Sequence, residues 1–125
     1  MDCIFCNYSS SDEVVIHNNL AYVMYDQFPV NKGHLLVIPK RHFASYFEAS
    51  KEELLAIQDL IRLAKDMLDV EKKPDGYNIG INIGEAAGQT IFHLHVHLIP
   101  RFLGDVENPR GGIRHLKKAI VEYDG

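Results

Sequence analysis

The stretch from residue 93 to residue 99 reads His93-Leu94-His95-Val96-His97-Leu98-Ile99, with three of the chain's seven histidines at every second position. Side chains alternate between the two faces of a β-strand, so this pattern predicts a strand with its imidazoles on one face and its aliphatic residues in a core. Alternate Cα atoms lie about 6.6 Å apart, so neighbouring rings can act on one substrate or one metal ion. Imidazole serves as base, nucleophile or metal ligand near neutral pH. The stretch therefore marks a candidate chemical site.

The segments around this stretch predict a small α+β domain. Two apolar runs at 14–17 and 20–25 flank Asn18-Asn19 and predict a tight hairpin, and residues 34–38 predict a central strand. Ser50 and Glu53 form a capping-box pattern ahead of an apolar stripe that ends at Leu68, which predicts a long amphipathic helix. Residues 77–83 alternate again, and residues 114–121 predict a short helix. We expect a five-stranded antiparallel meander with one long helix across one face.

Length, composition and charge exclude several classes of protein. The chain has 125 residues, of which 46% are hydrophobic and 24% charged, as in an ordinary single soluble domain over residues 1–125. The net charge of −4 argues against a broad nucleic-acid-binding surface. No apolar run approaches the roughly 18 residues of a membrane span, and Met1-Asp2-Cys3 does not open a secretion signal. We expect a cytoplasmic protein whose partners include neither a nucleic-acid polymer nor a membrane.

The chain has two cysteines, Cys3 and Cys6, spaced as Cys-x-x-Cys. In the cytosol such a pair is usually reduced, metal-bound or redox-active. A thioredoxin-like pair opens a helix after a strand, and no strand pattern precedes Cys3. A metal site is therefore the favoured interpretation.

The histidine stretch resembles the His-φ-His-φ-His-φ-φ signature of the histidine triad (HIT) superfamily, where φ is apolar. Gly88-Gln89-Thr90 lies where that family has Gly-Gln-Ser/Thr, and Asn82 stands thirteen residues before His95. Residues 33–42 are similar to the family's Gly-His-x-Leu-Val-Ile-Pro-Lys-x-His segment, and Asp26 precedes His34 by eight residues. The resemblance covers about residues 3–102, leaving a tail at 103–125. It implies a single HIT domain whose sheet continues across a homodimer.

The resemblance also implies a phosphate site. His95 is the implied nucleophile towards an α-phosphorus, because a neutral imidazole can form a phosphoramidate and divide a difficult displacement into two steps. His97 is implied to assist the leaving group with Thr90 beside it, and His34 to support the phosphate. The transferred phosphate needs fixed donors. Those expected are Asn82, Thr90, His97 and the amides around Gln89.

A nucleoside site is implied by the same resemblance, with a purine nucleotide as the substrate. Asp26 is expected to accept hydrogen bonds from a ribose diol. Phe28, together with Phe5, Tyr25 and Leu36, is expected to sandwich the base.

A second set of residues matches a zinc site found in some HIT proteins. Cys3, Cys6, His42 and His93 occupy the four positions, and a Cys₂His₂ set with no open position is structural. No other cofactor is expected.

Several functions stay open at this level. The leading hypothesis is a nucleotide hydrolase or transferase that acts on adenosine phosphoramidates or dinucleoside polyphosphates through a nucleotidyl-histidine. A second is a hydrolase whose catalytic zinc is held by the histidine strand and His34. A third is a nucleotide-sensing dimer with vestigial activity. His17 and His115 are expected to be surface residues without a role.

Overall fold

Residues 3–117 are described by a computed structural model, which contains two α-helices and five β-strands. The helices are α1 (Ile4–Tyr8) and α2 (Lys51–Glu71). The strands are β1 (Val14–His17), β2 (Ala21–Tyr25), β3 (Leu35–Pro39), β4 (Gly76–Gly80) and β5 (Val96–Arg101). Short 3₁₀ turns lie at Tyr46–Glu48, Glu85–Ala87 and Gly112–Leu116. The predicted helix at 114–121 is thus a 3₁₀ turn as far as residue 116, and residues 118–121 lie outside the described part.

The strands form one antiparallel sheet in the order β1-β2-β3-β5-β4. The predicted α+β class, with a five-stranded antiparallel sheet and one long helix, is confirmed. The predicted meander order is wrong for the last two strands. After α2 the chain enters the sheet at its edge as β4, and the position next to β3 is left open. β5 then fills the gap, and His97 pairs with Leu36 on one side and Gly80 on the other. The histidine strand therefore lies inside the sheet rather than at its edge.

Both faces of the sheet are covered. On one face, residues such as Val37, Val96 and Leu98 pack against Leu60 and Leu68 of α2. On the other face a second core packs under α1, which the sequence interpretation missed; its buried members are Cys3, Phe5, Tyr22, Met24, Leu36 and Ile38. Strands buried on two sides read as continuous apolar runs, as β2 and β3 do.

The start of α2 is fixed by its cap and by an ion pair. The Ser50 hydroxyl accepts from the Glu53 amide at 3.1 Å, and the Glu53 carboxylate accepts from the Ser50 amide at 2.9 Å, as the capping box predicts. Arg41 donates two bonds to the same carboxylate, at 2.8 and 3.0 Å, and lowers its pKa. This ion pair fixes the segment that follows β3, which contains His42, to the start of α2.

Within residues 3–117, no helix is long and apolar enough to cross a membrane.

The histidine stretch keeps its predicted alternation but enters the sheet later than expected. Leu94, Val96 and Leu98 are all buried in the α2-facing core. The Leu94 amide, however, donates to the Phe43 carbonyl at 2.7 Å rather than to a neighbouring strand, so β5 begins only at Val96. The first two histidines thus lie on an extended segment ahead of the strand, where they can turn towards other partners.

Candidate active site

His95 is held with one ring nitrogen free. Its Nδ1 lies 2.8 Å from the carbonyl oxygen of His93, so Nδ1 carries the proton and donates it to that oxygen. In a neutral imidazole the other nitrogen, Nε2, then has the lone pair. The Phe5 ring packs against the His95 ring at a centroid distance of 4.9 Å. The ring is thus fixed in position and tautomer, as a nucleophile requires.

A main-chain amide determines which ring nitrogen carries the proton in His34 and in His97. The Val30 N–H donates to His34 Nδ1 at 3.0 Å, so in neutral His34 the proton must be on Nε2. That Nε2 lies 2.9 Å from His97 Nδ1 and donates to it. His97 consequently carries its own proton on Nε2. The two rings form a directed chain that ends in a donor at His97 Nε2.

Asp26 lies beside this pair of rings. One carboxylate oxygen is 3.4 Å from His34 Nε2 and 3.8 Å from His97 Nδ1. The other oxygen accepts from the Phe28 amide at 2.8 Å. The Asp26 amide donates to the His34 carbonyl at 2.9 Å, which ties the carboxylate to the start of β3. The structure therefore places Asp26 next to the histidines as a negative charge that can stabilise a proton on either ring.

Burial keeps both rings neutral at pH 7. It lowers the pKa of His97 to about 4, with the neighbouring His95 and His34 rings adding to the effect and Asp26 opposing it. Burial also lowers the pKa of His34, again against Asp26. Without an anionic ligand, His97 therefore acts as a neutral hydrogen-bond donor.

An apolar cavity of about 90 Å³ lies on the α1 side of Asp26, and we call it the α1 pocket. Ile4, Phe5 and Tyr8 of α1 form one wall. The others are formed by strand residues and the segment after β2: Met24, Leu36, Gln27, Phe28 and Ile91. The structure brings Phe5, Phe28 and Leu36 together here, as expected for a base site. Tyr25 is not among the lining residues, because it follows Val23 onto the α2-facing side of β2, and it is 41% exposed.

A second cavity of about 260 Å³ lies on the opposite side of the His34–His97 pair, and we call it the β4 cavity. His34, His97 and Asn82 provide its polar groups, together with Asn78. Its apolar lining is Val30, Ile79, Ile81, Ile99, Ile113 and Leu116. No lysine or arginine of the described residues 3–117 lines it. The cavity thus offers hydrogen bonds at one end and an uncharged apolar surface over the rest.

Gln89 is placed differently from the expectation that it binds substrate. Its side-chain oxygen accepts from the Gly84 amide at 2.9 Å, and its side-chain nitrogen donates to the carbonyls of Ala44 and Ile91 at 3.0 and 3.1 Å. The Gln89 main-chain amide donates to the Gly84 carbonyl at 3.1 Å. All its N–H donors are therefore used within the protein. Gln89 closes the loop at 84–89 and leaves Thr90, which is exposed, at its end.

Cys3, Cys6, His42 and His93 come together as a group that can hold a metal ion. His93 Nδ1 lies 3.3 Å from Cys3 Sγ, 3.5 Å from Cys6 Sγ and 3.2 Å from His42 Nδ1. Zinc bonds of about 2.0–2.1 Å to nitrogen and 2.3 Å to sulfur give tetrahedral edges of about 3.3–3.8 Å. His93 Nε2 donates to the Pro39 carbonyl at 2.7 Å, which turns the Nδ1 lone pair towards the thiols. The donor set fits a zinc ion.

The family model of the HIT domain matches residues 8–104. This chain belongs to the HIT family. A HIT-like protein of Methanocaldococcus jannaschii is 40% identical over 110 residues, covering 84% of this chain and 83% of that protein. The AP-4-A phosphorylase of Mycobacterium tuberculosis is 38% identical over 103 residues, covering 76% of this chain and 51% of that enzyme. The crystal structure of a Zn-bound histidine triad family protein from Mycobacterium smegmatis matches with a TM-score of 0.76 at 33% identity, covering 84% of this chain and 78% of that one.

In this HIT protein a second group, formed by Asp26, His34 and His97, is also close enough to surround a metal ion. The hydrogen bond from Val30 argues against that use. A metal bound at His34 Nε2 would have to displace its proton, while Nδ1 is occupied as an acceptor. The ring would become an anion or lose the Val30 bond. The geometry favours a hydrogen-bonded pair of histidines here, and it does not favour a catalytic zinc on the histidine strand.

Two parts of the HIT site escaped the sequence interpretation. Ile4 and Tyr8 line the α1 pocket together with Phe5, and their spacing is that of one helical turn, which could have indicated α1. The Val30 amide sets the histidine tautomers, but every residue except proline has such an amide. His17 and His115 are exposed, as expected for surface histidines.

Proposed function

We propose that this protein cleaves nucleotides at the α-phosphorus through a nucleotidyl intermediate on His95. The observation that carries the proposal is the free Nε2 of His95, whose Nδ1 proton is held by the His93 carbonyl. The paired rings of His34 and His97 adjoin it, with the His97 ring centroid 5.3 Å from that of His95. A nucleophile, a donor and an apolar pocket are thus adjacent, as nucleotidyl transfer needs.

In the first step, His95 Nε2 forms a bond to phosphorus and the bond to the leaving group breaks. The negative phosphate raises the proton affinity of His97, opposing the effect of burial on its pKa. His97 takes up a proton on Nδ1 with the substrate and no longer accepts from His34; the Asp26 oxygen, 3.8 Å from His97 Nδ1 and 3.4 Å from His34 Nε2, then accepts from both rings. His97 Nε2 delivers its own proton to the leaving atom. The leaving group departs neutral, His97 becomes neutral, and His95 holds the nucleotide.

In the second step, water replaces the leaving group. His97 Nε2 accepts a proton from the water as its oxygen attacks phosphorus, and the bond between phosphorus and His95 Nε2 breaks. His95 returns to the neutral form with its proton on Nδ1, and a nucleoside monophosphate is released together with the extra proton of His97, which restores the neutral pair. We assign the remaining phosphate contacts to Asn82 and Thr90, and a positioning role in their loop to Gln89.

We assign the nucleoside to the α1 pocket. Phe5, Phe28 and Leu36 supply apolar contacts for a purine base, and Asp26 borders the pocket with a carboxylate that can accept from a ribose hydroxyl. Together these contacts support a purine nucleotide as the substrate.

The β4 cavity supports an amine as the leaving group. A departing polyphosphate carries several negative charges and needs cationic or N–H donors along its path. The described lining offers N–H donors only at the end with His97, Asn78 and Asn82, and its other side chains are apolar. Arg101, the arginine of β5, is already bound by Asp105 at 2.8 Å and by Asn78 at 2.7 Å. We therefore favour adenosine phosphoramidates over dinucleoside polyphosphates.

A substrate comparison tests this choice. We expect kcat/KM for an adenosine 5′-phosphoramidate with an apolar amine to exceed that for diadenosine tetraphosphate by at least about tenfold, on the order of one buried apolar contact. A preference for the polyphosphate would contradict the assigned leaving group. Tight AMP binding with negligible turnover of every substrate would instead indicate a nucleotide sensor.

We also propose a structural zinc ion held by Cys3, Cys6, His42 and His93. The donor distances support it, and so does the zinc in the related protein from M. smegmatis. Four protein ligands leave no open position, so the ion supplies a link between the N-terminal segment and the histidine segment.

The Val30 amide provides a test of the proton arrangement. Val30→Pro removes the N–H that donates to His34, whereas Val30→Ala keeps it, and both substitutions remove the branched side chain from the β4 cavity. We expect the proline variant to lower kcat/KM by about 10- to 100-fold relative to the alanine variant, because His34 and His97 lose their defined tautomers. Kinetics and the ring ¹⁵N shifts of His34 provide the measurements. Equal rates and shifts in the two variants would show that the amide does not set the tautomer.

We propose that two chains associate through β4. This strand is an edge of the sheet, and its Ile79 is 53% exposed and also lines the β4 cavity, so a partner chain here would border that cavity. Light scattering should give twice the mass of one chain, and Ile79→Lys should reduce it to that of one chain. Val15→Lys on β1, the opposite edge, is the matched control. A monomeric unmodified protein would contradict the assignment.

A further inference from the structure

The short helix α1 belongs to two sites at once. Cys3, which caps the helix, and Cys6 within it supply two of the four donors of the metal group. Ile4, Phe5 and Tyr8 on the same helix form a wall of the α1 pocket. The candidate metal ligands and the pocket residues are therefore interspersed within six consecutive residues. A shift of one set moves the other.

Apart from the metal group, α1 is held mainly by Phe5, which packs into the second core with Tyr8 partly buried beside it. The helix has five residues, and helices of this length are not stable alone. Phe5 is its one buried residue, and Ile4 is 45% exposed. The Tyr22 hydroxyl donates to the Phe5 carbonyl, and the Cys6 amide donates to Cys3 Sγ at 3.5 Å. Both hydrogen bonds involve residues from Cys3 to Cys6. The position of α1 relative to the sheet therefore depends on what holds these residues in place.

We propose that zinc at the Cys3, Cys6, His42 and His93 group sets the affinity of the protein for the nucleoside part of its ligand, with Cys3 and Cys6 as positioning residues. The proposal rests on the function and zinc site proposed above. Zinc bonds to His93 and His42 fasten α1 to the sheet and complete the pocket wall. Without zinc the wall loosens, and a purine loses its contacts with Phe5 and its neighbours. Because coupling is reciprocal, a bound nucleotide strengthens zinc binding by the same factor.

The phosphate end of the site depends on α1 through one contact, the packing of Phe5 against the His95 ring, and its other groups lie away from α1. His34, His97 and Asn82 lie on or beside β3, β5 and β4, and none of them contacts the metal donors. The metal state should therefore change the binding of a base-bearing ligand and leave the binding of a sugar phosphate nearly unchanged. This selectivity separates a positioning role from a general loss of structure.

Calorimetry with AMP and ribose 5-phosphate tests the proposal on zinc-loaded and chelator-treated protein, and on Cys6→Ser. We expect removal of zinc to raise the Kd of AMP by about tenfold or more, with the Kd of ribose 5-phosphate changed less than about twofold. Hydrogen exchange should increase at residues 3–8 while β2 and β3 stay protected.

Competition with a chromophoric chelator gives a second measurement that starts from the zinc-loaded protein. AMP should tighten zinc binding by the factor found in calorimetry, and ribose 5-phosphate should not. An equal Kd of AMP with and without zinc would overturn the coupling and leave the proposed function intact. An equal response to both ligands would overturn it too, since it would indicate general destabilisation. No binding of AMP to the zinc-loaded protein would overturn the proposed function itself.

Discussion

Replacing His95 with alanine is expected to lower kcat by about 10⁴-fold or more, because the nucleophile that would form the covalent intermediate is lost. The Nε2 lone pair of His95 is the one that the His93 carbonyl leaves free. The effect should appear in kcat, since the α1 pocket does not depend on this ring for its lining. AMP should bind the variant with nearly the affinity of the unmodified protein.

Rapid quenching followed by mass spectrometry gives the direct measurement. The unmodified protein should carry a nucleotide on the peptide that contains His95, and the alanine variant should carry none. His17→Ala is the matched control, because His17 is an exposed histidine on β1. Full activity in the His95 variant would exclude nucleotidyl transfer through this residue.

Replacing Cys6 with serine is expected to abolish stoichiometric zinc and to lower Tm by about 10 °C. A ligand present at about 1,000 times its Kd stabilises the folded state by about 4 kcal/mol, and each kcal/mol shifts Tm by roughly 2–8 °C in domains of this size class. The serine hydroxyl is a poor zinc ligand, so this stabilisation is lost.

Elemental analysis and thermal unfolding measure the two effects together. His42→Asn removes a different ligand from an exposed position and should give the same result, whereas His17→Asn should change neither quantity. Unchanged zinc content and Tm in both ligand variants would contradict the assigned metal site.

The parts of the fold that depend on local pattern could be predicted from the sequence. Alternation at 93–99 gave the correct buried faces, since neighbouring side chains of an extended chain point in opposite directions whatever the strand pairs with. The capping box gave the start of α2 for the same reason, because Ser50 and Glu53 satisfy each other within one turn.

The parts that depend on distant partners could not. The start of β5 is set by the Phe43 carbonyl, and the placement of Gln89 by the Ala44 carbonyl, 45 residues away. The order of β4 and β5 depends on where the chain enters the sheet after α2, and no local sequence pattern predicts that position. α1 was missed because five residues give a single helical spacing, Ile4 to Tyr8, which is a weak signal beside the longer stripe of α2.

Two protons of the candidate site are positioned by main-chain atoms, the carbonyl of His93 and the amide of Val30. A point substitution can never delete a carbonyl, and proline alone deletes an amide. Substitutions at residues 93 and 30 can therefore alter a candidate metal donor or a cavity wall while the tautomers of His95 and His34 persist. The acid–base arrangement of this site is inherited with the path of the backbone, which makes it more tolerant of sequence change than the side chains around it.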